Sequence, residues 1–174
     1  MKPNERRKMI LEAIKQNDAP LSATALASNF GVTRQVVVGD VSLLRASGHD
    51  IIATARGYII YEPKSAGGYI GTIACRHNEA DTAKELHTII DLGASIINVT
   101  VEHEIYGEIT GVLNINTHED ADDFLCMVQN SEAKLLLQLS HNGVHLHQIA
   151  CCDKTHFEQI VQALDAQNFL YNGA

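Results

Sequence analysis

In the first fifty residues the apolar positions recur at helical spacing, and beyond them stretches of strict alternation interleave with further helical stretches. Met9, Ile10, Ala13 and Ile14 form one stripe within Arg6–Lys15 and predict a first helix. In PLSATALASNFGVTRQVVVGDVSLLRASGHDI (20–51), Ser22 is placed to cap a second helix carrying Ala25, Leu26 and Phe30. Gly31 ends that helix and Thr33 caps a third. The third helix buries Val36 or Val37, then Val41 and Leu44, presents Thr33, Arg34 and Gln35 at its first turn, and stops at Gly48. IIATARGYIIY then reads as two short strands around Arg56 and Gly57. Three helices with a glycine turn between the second and third, closed by a ribbon, predict a winged helix-turn-helix over residues 1–62.

Pro63, Ser65, Gly67 and Gly68 punctuate the pattern and mark a linker at 63–68. A second domain, 69–174, follows. YIGTIACRH (69–77), SIINVTVEH (95–103), EITGVLNIN (108–116) and GVHLHQIAC (143–151) alternate as strands. Residues 78–93, 118–130 and 154–170 have helical periodicity, and AKLLLQLS (133–140) fits neither period. The fold class is α+β: a winged helix-turn-helix followed by a β-α-β-β-α-β-α sandwich resembling the split βαβ plan, with helices on one sheet face.

Composition narrows the function classes. A 45% hydrophobic and 20% charged chain of 174 residues can bury a core, and no apolar run reaches membrane-spanning length. The N-terminus mixes charged and apolar residues unlike a signal peptide, and the four cysteines (75, 126, 151, 152) have no zinc-ribbon spacing. Reduced thiols in the cytoplasm are expected. The net charge of −8 is uneven: residues 1–62 hold eight Lys and Arg against six Asp and Glu, and the rest hold five against fifteen. Any contact with DNA therefore belongs to the head. There, Arg34 and Gln35 can read base edges in the major groove, Arg56 can reach phosphate or minor groove, and the helix N-termini at Ser22 and Thr33 can meet phosphates. Some winged helices serve protein contacts instead, but side chains suited to base readout favour DNA. Two copies about 34 Å apart would match a palindromic operator.

His145 and His147 sit two positions apart on an apolar strand, so both leave one face. They are either metal ligands or core histidines. His77 ends the first strand, and Glu85 lies eight residues on. A helix returns to within about 80° of its starting direction over that interval, so the pair could face one region. Three imidazoles and a carboxylate suit zinc, iron, nickel or manganese. His87 is about 200° from Glu85 on the same helix and is set aside, while His49, His118, His141 and His156 read as exposed or capping. His103 and Arg76 are candidates for touching an effector. Two other classes fit the body: an amino-acid-sensing, ACT-like domain without metal, and a metalloenzyme with Glu102 or Glu104 as base.

The motifs TRQVVVGDVSLLRASGHDIIATARGY, H-x7-E (77–85), VEHEIYGEI (101–109) and NGVHLHQI (142–149) resemble the nicotinate-responsive transcriptional repressors of the NiaR type. These join a winged helix to a three-histidine domain. The resemblance spans nearly the whole chain. It implies a divalent metal held by His77, Glu85, His145 and His147, nicotinic acid as corepressor bound at or near it, a homodimer on operator DNA, and no catalysis. Control of niacin uptake or NAD biosynthesis genes is the implied role.

Overall fold

A computed structural model describes residues 2–60 and 68–172. The chain divides into two compact units, Met1–Ser65 and Ala66–Ala174. Apart from Gly68, the linker expected at 63–68 lies outside the described residues.

The first unit is three helices, α1 (Pro3–Lys15), α2 (Ala23–Phe30) and α3 (Arg34–Ala46), and a two-stranded wing, β1 (Ile51–Thr54) and β2 (Gly57–Ile60). The expected caps are present: Ser22 Oγ accepts from the Ala25 N–H and Thr33 Oγ1 from the Val36 N–H. Ile10, Ile14, Leu26, Val37, Val41 and Leu44 close one core, each contributing about 1.5–3 kcal/mol. The α1 stripe is rotated from expectation, because Leu11 is buried and Met9 is largely exposed. Of the two valines left open, Val37 is inside and Val36 outside. Asp40 is buried against Arg6 (2.6 Å) and Arg7 (3.4 Å). Those two cations are thereby engaged within the head. Leu21 bridges Tyr58 and adds a third strand segment to the wing. That bridge explains Gly57, since a Cβ there would lie 2.4 Å from the Leu21 carbonyl.

The second unit runs β3 (Tyr69–Arg76), α4 (Thr82–Asp91), β4 (Ser95–His103), β5 (Gly107–Ile115), α5 (His118–Gln129), β6 (Val144–Cys151) and α6 (Lys154–Asp165). The sheet order is β3-β6-β4-β5 with every neighbour antiparallel. β6 therefore splits the β3-α4-β4 unit and β4 splits the β5-α5-β6 unit. Leu86 and Ile89 of α4, Ala121 of α5, and Ile160 and Leu164 of α6 meet Ile73, Ile96, Leu113 and Ile149 of the sheet in one core. Three elements differ from the sequence reading. Glu79–Asp81 is a 3₁₀ turn, so α4 begins four residues later than the periodicity suggested. Residues 136–138, ambiguous by period, are a second 3₁₀ turn. The last helix stops at Asp165 rather than 170, because Asn168 takes a left-handed conformation (φ 60°). The chain then turns back to pair Leu170 with Cys75 and buries Phe169.

Candidate metal centre

β6 carries His145 and His147 on the face toward α4, in register with Cys75 and Ile73 of β3. Glu85 projects from α4 and is fully buried. His77 lies just past β3, its side chain covered, with the Phe169 ring 5.3 Å from its own. The structure thus brings together all four residues singled out by the sequence. Helical periodicity does not do this for His77 and Glu85, since His77 precedes the 3₁₀ turn; the turn and the end of β3 aim it.

The polarity of the group is unusual. The three Nε2 atoms converge on one oxygen, Glu85 Oε2, at 2.8 Å (His77), 3.6 Å (His145) and 3.5 Å (His147). Each ring turns its Nδ1 to a backbone carbonyl: His77 to Asn78 (2.8 Å), His145 to Gly143 (2.9 Å) and His147 to Asn98 (2.7 Å). A carbonyl only accepts, so each Nδ1 carries the proton and donates it. Every Nε2 then faces the carboxylate either as a lone pair or as a second N–H. Lone pairs against a carboxylate repel. Three imidazolium rings with neighbouring centroids 4.8 and 5.0 Å apart would crowd like charge in a buried space. One divalent cation resolves both. A shell at about 2.0–2.1 Å has ligand-to-ligand edges of roughly 3.0–3.4 Å, close to the separations found. Glu85 Oε1 has no hydrogen-bond partner among the described residues, a further sign of a cation-shaped deficit.

Electrostatics follow the same geometry. Burial alone would raise the Glu85 pKa, but the facing imidazoles, His147 first, hold it well below the ordinary carboxylate range. Burial pulls His77 and His147 down, and the Glu85 hydrogen bond and charge outweigh it, leaving both raised. The Cys75 thiol, pushed up by burial and by Glu85, also belongs to this group. It offers a ligand atom within 4.8 Å of those of Glu85 and His145. Sequence reasoning passed over it; the available signal was C-x-H at 75–77, the same two-residue step that marked 145 and 147.

Gly143 is required where it stands. Its φ is +73° and an added Cβ would meet the His77 carbonyl oxygen at 2.9 Å. Arg76 lines an open cleft of about 500 Å³ together with His77, Asn78, Gln138 and Gly143. His103 is not brought to the group. His147 pairs in register with Val99, and His103 lies four residues farther along β4, on the order of 13 Å away. There its Nδ1 accepts from the Ile105 N–H and its ring packs on Tyr106 in the β4–β5 turn. His87 and His118 are tied to Asp122 and Asp91, each at 2.9 Å. His156, expected to be exposed or capping, is half-buried between Cys152 Sγ and the Leu92 carbonyl.

In the first unit Arg34 and Gln35 are exposed at the first turn of α3, while Arg56 is half-buried at the wing turn. The HTH domain family matches residues 6–59 and the 3H domain family matches residues 70–173. The chain is 36% identical over 166 residues to the probable transcription repressor NiaR of Thermotoga maritima, covering 95% of this chain and 93% of that one. It is 34% identical over 167 residues to the transcription repressor NadR of Bacillus subtilis, covering 95% and 92%. The chain belongs to the NiaR/NadR family of transcription repressors. It is a helix-turn-helix regulator and not an enzyme, and no helix among its described residues is long and apolar enough to cross a membrane.

Proposed function

We propose that this repressor senses nicotinic acid through a divalent transition metal held by His77, Glu85, His145 and His147. The observation that carries the reading is the convergence of three Nε2 atoms on one buried carboxylate oxygen while each Nδ1–H is tied to a carbonyl. Such carbonyl anchors fix ring orientation around a metal. Imidazole and carboxylate donors fit zinc, nickel, iron or manganese. The ion would supply open coordination to an anionic ligand, and the protein around it supplies ring orientation and exclusion of water.

Arg34 and Gln35 read operator bases, and Arg56 with the N-termini of α2 and α3 contacts the backbone. A homodimer on a palindromic operator in the cytoplasm couples the two units. A coupling of about 1–3 kcal/mol changes operator affinity roughly 5- to 150-fold, which suffices to silence niacin uptake or NAD biosynthesis genes when the vitamin is abundant. The test is calorimetric titration of nicotinic acid into metal-loaded and chelator-stripped protein, with nicotinamide as control. Saturable binding to the loaded form alone supports the reading. Absence of heat in the loaded form, with metal content verified by elemental analysis, rejects it.

A further inference from the structure

Beside the histidines a small cavity of about 30 Å³ opens between α4, the sheet and the 3₁₀ turn at 136–138. Its walls are apolar, drawn from Val99, Leu113, Phe124 and Leu136, and Glu85, His145 and His147 form its floor. One side chain is out of character. Thr82 is only 7% exposed, lines this cavity, and its hydroxyl has no hydrogen-bond partner among the described residues. A hydroxyl in an apolar wall without a partner is costly, and native interiors rarely leave one so. Helical threonines commonly satisfy themselves on a carbonyl one turn back, as Thr88 does on Lys84. Thr82 opens its α-helix directly after the 3₁₀ turn Glu79–Asp81, and its hydroxyl makes no such bond to a carbonyl there.

We infer that this cavity is the subsite for the flat ring of the effector, and that Thr82 Oγ1 is its hydrogen-bond anchor, a specificity-determining contact. The inference rests on the proposed sensing of a pyridine acid. A pyridine ring presents apolar faces to Leu113, Phe124 and Leu136 and a single in-plane acceptor, its nitrogen, to which the threonine hydroxyl donates. The closed cavity holds no more than a water or two, whereas ligand sites typically exceed 300 Å³. Ring entry therefore requires displacement of the leucine turn. Leu137 lines both this cavity and the open cleft beside Arg76 and His77, so its movement joins the two spaces. Gln138 Nε2 donates to Glu79, closing the turn over the site from the cleft side.

The test compares nicotinic acid with benzoic acid, which has the same ring and carboxylate but no ring nitrogen. Both are titrated into metal-loaded wild type, Thr82→Val and Thr82→Ser, with metal content measured in each. Wild type is expected to favour nicotinic acid roughly three- to tenfold, the value of one hydrogen bond. Thr82→Val brings the ratio to about one by weakening nicotinic acid alone, and Thr82→Ser restores it. A ratio unchanged in Thr82→Val, an equal loss of both ligands, or a wild-type ratio near one overturns the subsite while the sensing function stands. Failure of wild type to bind nicotinic acid at all overturns the sensing function, and the subsite with it.

Discussion

Replacing Glu85 by glutamine keeps the shape of the buried side chain and removes the charge on which three imidazoles converge. Metal at a hundredfold excess over its Kd stabilises the folded state by about 2.7 kcal/mol. Each 1 kcal/mol moves the midpoint of a unit of this size by about 4–8 °C, so the expected metal-induced shift in wild type is roughly 10–20 °C. Loss of the carboxylate weakens affinity at least as much as loss of an outer partner, about a hundredfold at the upper end. At the same metal concentration this leaves about 0.4 kcal/mol, a shift of at most a few degrees. The pH dependence supplies a second signature. Glu85, its pKa depressed, stays ionised from pH 5 to 8, and its contribution is lost only below the ordinary carboxylate range. His77 and His147 have raised folded pKa values, so their contribution is complete below about pH 6.5 and declines as pH rises through those folded values. Metal-free wild type therefore loses stability as pH rises from 6 to 8. The loaded protein gains over the same range, because protons no longer compete for the Nε2 atoms. In Glu85→Gln both slopes flatten. Scanning calorimetry at pH 6 and 8, with zinc and with chelator, reads all four states. A full metal-induced shift in Glu85→Gln would refute the assignment of that carboxylate.

Gly143→Ala forces a Cβ into a left-handed backbone against the His77 carbonyl; a cost of about 1–3 kcal/mol in denaturant melts is expected, together with weaker metal binding. Phe169→Ala removes a buried ring that packs on His77 and is expected to lower stability by about 3–5 kcal/mol; a near-neutral effect would show that the C-terminal turn is not part of the core. Arg34→Ala is expected to reduce operator affinity by about 1–3 kcal/mol in mobility-shift titrations while leaving metal content unchanged. An equal loss on non-operator DNA would reassign Arg34 to phosphate contact.

Local signals were read well. Both helix caps of the head, the glycine turn and the wing followed from residue types whose preferences act within four positions. The two-residue step of His145 and His147 gave their common face without any tertiary information. The burial of Asp40 is not legible in the sequence, because its partners lie more than thirty residues away and nothing local distinguishes a surface acid from a buried one. The leucines at 135–137 were unreadable for a related reason. A 3₁₀ turn has neither period, and its apolar residues are explained only by the cavity they cover. The end of α6 is not legible in the sequence, because the apolar pair at 169–170 continues the helical pattern while serving β3. Zinc-ribbon spacing carries no sign of Cys75, whose place in the group shows only through its strand partner His145.

The depth of the histidine group sets what the protein can measure. Glu85, His145 and His147 are all under 4% exposed, and three backbone segments hold the rings from behind. On the proposed metal reading, an ion held there would exchange with the surroundings only when the unit opens, a far slower event than ligand turnover in an accessible pocket. Its occupancy would then follow the assembly of the chain more closely than momentary changes in cellular metal. In the proposed sensor the metal would be the slow component and the small-molecule effector the fast one, so that only the effector would carry information to the operator.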